Sequence, residues 1–463
     1  MPTVDDRAPC VRSDHSPQPL PATGPAERVG RRRRPNLVPQ PRLTSLWRHP
    51  EFLRFWAAQS ISQVGTQVTV LALPLVAALS LDASPFAVGL LAAMETAPFL
   101  LVGLFAGVWV DRRRRRPLLI AADLGRATLL LTIPVAAVLG ALRMELLYAV
   151  AFFGGVLTLF FDVAFVSYLP ALVRRDELVD GNSKLQASAS GAQVVGPGLA
   201  GTLIGLVGAP AALVVDAVSF LGSALLLARV RTPEPVPAPP VRQPHVWREI
   251  GEGLRAVGGQ PVLRALATCS ATINLAAGLF FAVYVLYLTR DLGLSPGAIG
   301  LVFAVGGAGA LIGALLADPA RRRFGAGPTI IAAQSLFGLT GLLVPLAVLV
   351  PAIALPMVVA SEFLQWLTVL IYDVNAVSLR QAITPDRLQG RVVASVRFLG
   401  WGMRPVGALL GGYLGGVIGL AWTLVVGELG MLVAVLWLVA SPLPRLRQAP
   451  AIVDEAPAPA TSS

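Results

Sequence analysis

Apolar residues are gathered into long runs separated by short polar or arginine-bearing breaks, and this alternation organises the whole chain. A helix needs roughly 20 mostly apolar residues to cross a bilayer. On that rule, spanning helices are predicted at residues 55–80, 86–110, 118–141, 146–170, 186–207, 210–229, 263–288, 297–317, 328–348, 351–375, 393–417 and 420–440. The fold class is therefore an all-α membrane protein with twelve transmembrane helices. The breaks alternate in charge. Connections at 81–85, 143–145, 208–210, 289–296, 350–351 and 418–419 contain only two basic residues, Arg143 and Arg290. The intervening ones hold Arg112 to Arg116, Arg174, Arg175, Lys184, Arg229, Arg231, Arg321 to Arg323, Arg380, Arg387 and Arg391. Basic residues are retained on the cytoplasmic side of membrane proteins. Both termini and the long 230–262 connection are thus expected in the cytoplasm, at the inner membrane of a bacterial cell.

Composition agrees with this reading and narrows it. Of 463 residues, 55% are hydrophobic and 14% charged, too few charges to cover a soluble particle of this size. A net charge of +11 raises the idea of nucleic acid, but the basic residues sit between apolar runs with no aromatic-basic stacking surface, so no nucleic-acid partner is expected. Cys10 and Cys269 cannot form a disulfide framework, and three unpaired histidines give no metal site. Lys184 is the one lysine among 37 basic residues, an arginine bias read as a high-GC bacterial genome.

Residues 1–44 form a Pro- and Arg-rich tail without apolar periodicity, expected to be disordered and too polar for a signal peptide. Its Arg31 to Arg34 cluster reads either as a solvated topogenic patch or as a site for anionic headgroups. The linker, 231–262, opens on a polyproline spacer at 232–240. It continues at 246–257 with Val246, Ile250, Leu254 and Val257 on one helical face, as expected of a helix lying along the membrane surface. The spacer divides the spans into an N-terminal bundle, 45–230, and a C-terminal bundle, 263–442; residues 443–463 are a second disordered tail.

The halves are related in sequence. At an offset of 211 residues, Asp162 meets Asp373, Val163 meets Val374, Val166 meets Val377, Ser167 meets Ser378 and Ala171 meets Ala382, in equivalent spans four and ten. At 207, Asp111 meets Asp318, and Arg114 and Arg115 meet Arg321 and Arg322. Two six-helix, pseudo-symmetric bundles fit the parallel-repeat plan of rocking transporters.

The stretch Gly107-Val-Trp-Val-Asp111-Arg112-Arg-Arg-Arg115-Arg116 lies between spans two and three. There it resembles the loop signature of the major facilitator superfamily at every fixed position. Leu379-Arg380-Gln381, Pro385-Asp386, Gly390-Arg391-Val392, Pro405-Val-Gly407, Gly411-Gly412, Val215-Asp216 and Ser219-Phe220 look like the drug–proton antiporter branch that includes macrolide and siderophore exporters. The likeness covers roughly residues 45–442. Pro319 replaces an arginine in the second copy of the loop signature, Ala192 replaces the first glycine of the span-five antiporter motif, and Thr66-Gln67 stands where an acid is expected. The resemblance implies a conformational gate of Gly107, Asp111, Arg112, Arg115 and Asp162, with Asp318, Arg322 and Asp373 doing the same work in the second half. Asp111 would face the positive end of span eleven, and Arg112 or Arg115 would pair with Asp162. A topogenic role alone is the other reading of the five arginines.

Ionisable groups inside a membrane are costly and default to function. Glu95, Glu362 and Arg404 fall near mid-span and Asp216 is shallower, which makes them the proton-coupling candidates. A carboxyl that exchanges an apolar surrounding for an arginine's neighbourhood binds and releases a proton as it does so; a permanent ion pair is the alternative. Asp123 and Arg126, three apart, read as a local pair. Gln59, Ser62, Gln63 and Thr66 lie on one face of span one and, with Asn274, Gln365 and Trp366, are the substrate-cavity candidates; helix–helix hydrogen bonding is the other reading. No nucleophile–base set, Walker loop or dinucleotide motif is present, so an enzyme is not expected. The expected function is proton-antiport export of a small amphipathic organic molecule by a monomer in the lipid bilayer, with the proton gradient as energy source and no cofactor. Transport of one specific metabolite or siderophore, and a non-transporting membrane sensor on the same fold, are the alternatives.

Overall fold

Proline and a side-chain cap start many of the helices, because an N-terminal proline gives up no helical hydrogen bond and a cap satisfies a free N–H. Pro50 follows His49, Pro85 follows Ser84, Pro261 follows Gln260 and Pro296 follows Ser295, and each capping side chain accepts from a backbone N–H three residues on. A computed structural model describes residues 46–232, 234, 246–385 and 388–446, without the side chains of Leu104, Val108, Asp111 and 246–250. Residues 1–45, most of the polyproline spacer, residues 447–463 and the Asp111 side chain lie outside the described residues; the start of the expected second tail is ordered instead, as Leu443–Arg445 form a 3-10 turn with Leu443 buried.

The elements are α1 (Pro50–Leu75), α2 (Pro85–Leu101), α3 (Gly103–Asp111), α4 (Arg115–Val138), α5 (Met144–Leu172), α6 (Leu178–Val207), α7 (Ala209–Ala228), α8 (Val246–Gly259), α9 (Pro261–Leu286), α10 (Pro296–Phe324), α11 (Ala326–Gly341), α12 (Leu343–Leu346), α13 (Ala354–Ile383), α14 (Gln389–Val417) and α15 (Leu420–Val439). No strand occurs among the described residues. Ten helical segments are long and apolar enough to cross a membrane. Beside them stand α2, continued by α3 after a break, and α14, which carries Arg391, Arg397 and Arg404. With those two, the architecture fits twelve spans.

Several ends differ from the sequence reading. Span two is not one continuous helix: α2 ends at Leu101 and Val102 separates it from α3. Span nine breaks at Leu342, three residues before Pro345. The helix of span ten runs on to Ile383, beyond the 375 expected, because polar residues continue a helix once it has left the apolar layer. The linker helix α8 does more than lie against lipid. Val257 is buried among Leu263, Ala267, Val392 and Val396, and Arg391 pairs with Glu252, so α8 docks on the base of α9 and α14.

Packing repeats between the halves. In the first, α1 packs on α7 and α6, α4 on α7 and α5, and α2 on α5. In the second, α9 packs on α15 and α14, α11 on α15 and α13, and α10 on α13. The halves then cross through α2 with α14 and α6 with α10. The apolar core is continuous at the arginine-poor end, where one cluster joins Val76, Leu91 and Leu213 to Tyr284, Ile299 and Leu424. Toward the basic end it divides into separate clusters, one around Phe55, Phe161 and Tyr168 and another around Cys269, Tyr372 and Leu438. The halves are thus joined at one end and parted at the other.

Candidate transport pathway

Close approach at the arginine-poor end rests on four glycines. A Cβ at Gly89 would lie 2.6 Å from the Ala408 carbonyl oxygen, and one at Gly412 would lie 2.9 Å from Gly89 Cα. On the other side of the molecule, a Cβ at Gly300 would lie 2.6 Å from the Pro197 carbonyl oxygen, and one at Gly201 would lie 2.7 Å from Gly300 Cα. Lipid supplies no hydrophobic force between helices, so such small-residue seams provide the packing. Gly89 and Gly300, like Gly201 and Gly412, are again 211 residues apart.

The segments before these seams repeat as well. Helices α1 and α9 each run into a five-residue π turn, Val76–Ser80 and Tyr287–Asp291. Asp82 and Gly293, at the same repeat position, take φ of +44° and +62°. The repeat is broken at one place: Arg290 Nη2 donates to Asp82 Oδ1 at 2.7 Å and to the Ala83 carbonyl at 2.9 Å, tying the two halves together.

Toward the basic end the same helix pairs separate. Between α2, α5 and α14 lies a cavity of about 640 Å³ lined by Phe99, Leu100, Asp162, Val166, Arg397, Phe398 and Trp401, among others. The Phe99 and Trp401 rings, 5.5 Å apart, stand at the seam between α2 and α14. A second hollow, about 850 Å³, opens between α6 and α10 beside Asn182, Gln186, Ser190 and Leu311. The first lining combines aromatic faces, aliphatic walls and one charge of each sign.

The expected gate residues are distributed along the basic face. Gly107 sits on α3 with open space around its Cα, and Arg112 is exposed. Arg115 does not pair with Asp162: its partner is Glu234, whose carboxylate also accepts from the Arg115 and Arg116 backbone N–H groups at 2.8 and 3.3 Å. The free N–H groups and positive end of α4 attract that carboxylate, and the Arg115 side chain follows. Asp162 instead faces the cavity that Arg397 also lines. Asp318 pairs within its own helix with Arg321 and Arg322, at 2.6 and 2.7 Å, and Asp373 is exposed.

Inside the first half, Asp123 and Arg126 form a buried ion pair. The Arg126 guanidinium lies between the Phe161 and Phe220 rings, 4.3 and 4.1 Å from their centroids, a cation–π sandwich well beyond a local surface pair. Asp216 is fully buried and accepts from Thr69 Oγ1 at 2.5 Å and Ser219 Oγ at 2.9 Å. Arg126, Asp216, Thr66 and Thr69 share an internal cavity of about 150 Å³ with Glu95. Glu95 lies on α2 and its charge is opposed by Arg404 on α14, across the seam between the halves. Ser62 is buried, the Gln59 side-chain oxygen is buried without a partner, and Gln63 is half-buried on the same helix.

In the second half, Glu362 on α13 accepts from Tyr284 Oη at 2.8 Å and from Trp366 Nε1 at 2.9 Å. Gln365 donates to Ser361 Oγ at 3.0 Å, whereas Asn274 bonds back to the Ser270 carbonyl beside Gly400. The expected cavity residues therefore fall into separate groups: Thr66 in the first half, Gln365 and Trp366 around Glu362, and Asn274 facing α14. Sequence reasoning missed Glu428, fully buried on α15. Its signal was in plain view, a lone carboxyl in the middle of the last apolar run.

The pattern of the transmembrane secretion effector family matches residues 44–462. A multidrug efflux pump, Tap, of Mycolicibacterium fortuitum is 29% identical over 422 residues, covering 88% of this chain and 98% of its own. The enterobactin exporter EntS of Citrobacter koseri is 26% identical, covering 90% and 98%. Among solved structures, a bacterial homologue of the iron transporter ferroportin in an inward-facing state shares the fold, with a TM-score of 0.68 at 16% identity, covering 84% and 98%.

Proposed function

The chain belongs to the transmembrane secretion effector family of the major facilitator superfamily and is a multi-pass membrane transporter, not an enzyme; on that premise we propose that it exports a small amphipathic organic compound, a drug or secondary metabolite, from a bacterial cell by proton antiport. The observation that carries this reading is the divided core: one apolar cluster closes the arginine-poor end, and separate clusters flank open hollows at the basic end. With the basic face in the cytoplasm, this is the loading state of an exporter, acting as a monomer in the plasma membrane. Substrate enters between α2, α5 and α14, its apolar body against Phe99, Phe398 and Trp401 and its polar end toward Asp162 or Arg397. The halves then rock until the basic face closes and the glycine seams part. Export names given to two relatives support the direction.

Coupling falls to Glu95. It and Arg404 stand on helices that separate when the halves rock, so the arginine's hold on the carboxylate changes with conformation and a proton is exchanged at each swing. Substrate efflux from proteoliposomes is expected to accelerate when a proton gradient opposes it, and Glu95→Gln to abolish that acceleration. If the variant responds to the gradient as the parent does, Glu95 is not the coupling group. A second reading, export of a specific anionic metabolite, is favoured by Arg397 in the cavity wall; a substrate panel in which Arg397→Gln impairs only anionic compounds would establish it.

A further inference from the structure

Five arginines follow α3, and their surroundings divide them. Arg115 is held by Glu234, and Arg116 donates to the Leu227 and Ala228 carbonyls at 3.0 and 2.5 Å. Arg112, Arg113 and Arg114 are exposed, and none of their guanidiniums has an ion pair or hydrogen bond among the described residues. Retaining a loop in the cytoplasm asks only for positive charge. It does not ask for the surface that lies beside these three.

Helix α3 turns one side to the cleft and another away from it. Phe99 and Gly103 line the cavity between α2, α5 and α14. Phe105 follows Gly103 by two residues, about 200° around a helix, so it points to the opposite, outer side. There Leu101, Phe105 and Trp109 recur every fourth residue, at 59%, 56% and 44% exposure. Arg113 is the next step of that stripe, and its guanidinium lies over the Trp109 ring, 5.4 Å from the centroid. The indole stands edge-on to Phe160 of α5, at 5.1 Å, and its Nε1 donates to no described residue. Helix α3 packs mainly on α2 and α5, which leaves the stripe bare. Along it the order is aliphatic, aromatic, indole, guanidinium. A bilayer leaflet presents the matching order, from acyl chain through glycerol ester to phosphate.

We propose that the outer face of α3 and the three arginines after it form a binding site for an anionic phospholipid. Its acyl chains lie along Leu101 and Phe105, and its phosphate is held by the guanidiniums and the Trp109 indole N–H. Guanidinium groups match phosphate oxygens two at a time. The charge selects the lipid class: a zwitterionic headgroup brings its own ammonium, which three uncompensated arginines repel. The bound lipid fastens α3, the short helix carrying Gly107, to the bilayer on the side where the protein leaves it uncovered.

Tryptophan fluorescence of the full chain in bilayers reads this contact when the lipid carries bromine on its acyl chains near the glycerol. The Trp109 contribution is the difference between the parent and Trp109→Phe. Brominated phosphatidylglycerol is expected to quench it with an affinity at least about fivefold above that of brominated phosphatidylcholine, the share of one arginine near a charged surface. Substituting glutamine for Arg112, Arg113 and Arg114 together should abolish that preference. The same change at Arg174 and Arg175, an exposed pair after α5, should leave it intact. In the parent the preference should fall severalfold as salt is raised, a measurement that needs no variant to fold. Equal quenching by the two lipids, a preference untouched by salt or kept in the triple variant, or a loss as large in the Arg174 and Arg175 variant, overturns the proposal. The assay reads no transport, so it decides the site whatever drives export.

Discussion

Substituting alanine for Gly300 tests how the arginine-poor end is held shut. The added methyl would lie 2.6 Å from the Pro197 carbonyl oxygen and 2.8 Å from Gly201 Cα. Ordinary contact begins near 3.4 Å, and both obstacles are backbone that cannot rotate aside. Helices α6 and α10 must therefore part by the better part of an ångström. Overpacking of this kind costs about 1–3 kcal/mol. Because the seam exists only while that end is closed, the whole penalty falls on one conformation. The equilibrium then shifts by about 5- to 150-fold toward the state open at the arginine-poor end. Gly412→Ala loads the second seam, and the two effects add if the sites are independent. The assay is maleimide labelling of Val166→Cys, a cavity-lining position 75% exposed, in a background lacking Cys10 and Cys269. Labelling is expected to slow, by up to that factor, in Gly300→Ala and to remain unchanged in Gly198→Ala, whose methyl would meet its nearest neighbour at 3.6 Å. Equal labelling of Gly300→Ala and the parent would refute the reasoning.

Other outcomes follow from the same geometry. Arg126→Ala strands the buried Asp123 carboxylate, which costs about 3–5 kcal/mol; thermal unfolding in detergent should move to markedly lower temperature, and replacing both residues by leucine should recover much of the loss. Arg290→Gln removes the bonds to Asp82 and Ala83. Labelling in the cleft should fall by only about 1.5- to fivefold, the range of an exposed pair, and a larger fall would assign that contact more than the glycine seams. Gly253→Val would push α8 off α14, because a Cβ there meets the Arg391 carbonyl oxygen at 2.5 Å; trypsin should then cut after Arg255 several times faster, and an unchanged rate would mean that α8 is held elsewhere.

The membrane fold was legible because hydrocarbon imposes a length and an apolarity that few other structures share. Repeat offsets were legible for the same reason in reverse, since charged residues such as Asp162 and Asp373 stand out against apolar runs. The break at Val102 had no signal in the sequence, since Pro98 lies inside α2, as Pro134, Pro170, Pro197 and Pro405 lie inside unbroken helices. Pairing was the least legible. Arg115 meets Glu234 from the linker, more than a hundred positions away, and only the end of α4 explains why. Asp123 and Arg126 were seen as neighbours on one helix, yet the two phenylalanines that enclose the arginine come from α5 and α7. Glu428 was passed over although it obeys the rule that singled out Glu95.

The linker has a mechanical consequence. Its first residues are fastened to the N-terminal half by the Glu234 grip on α4, and α8 is fastened to the C-terminal half by Glu252 and Val257. Whatever travel the halves make must be taken up by residues 235–245, about eleven links whose full reach is near 35–40 Å. The contour length between these two anchors therefore sets an upper limit on how far apart they can move.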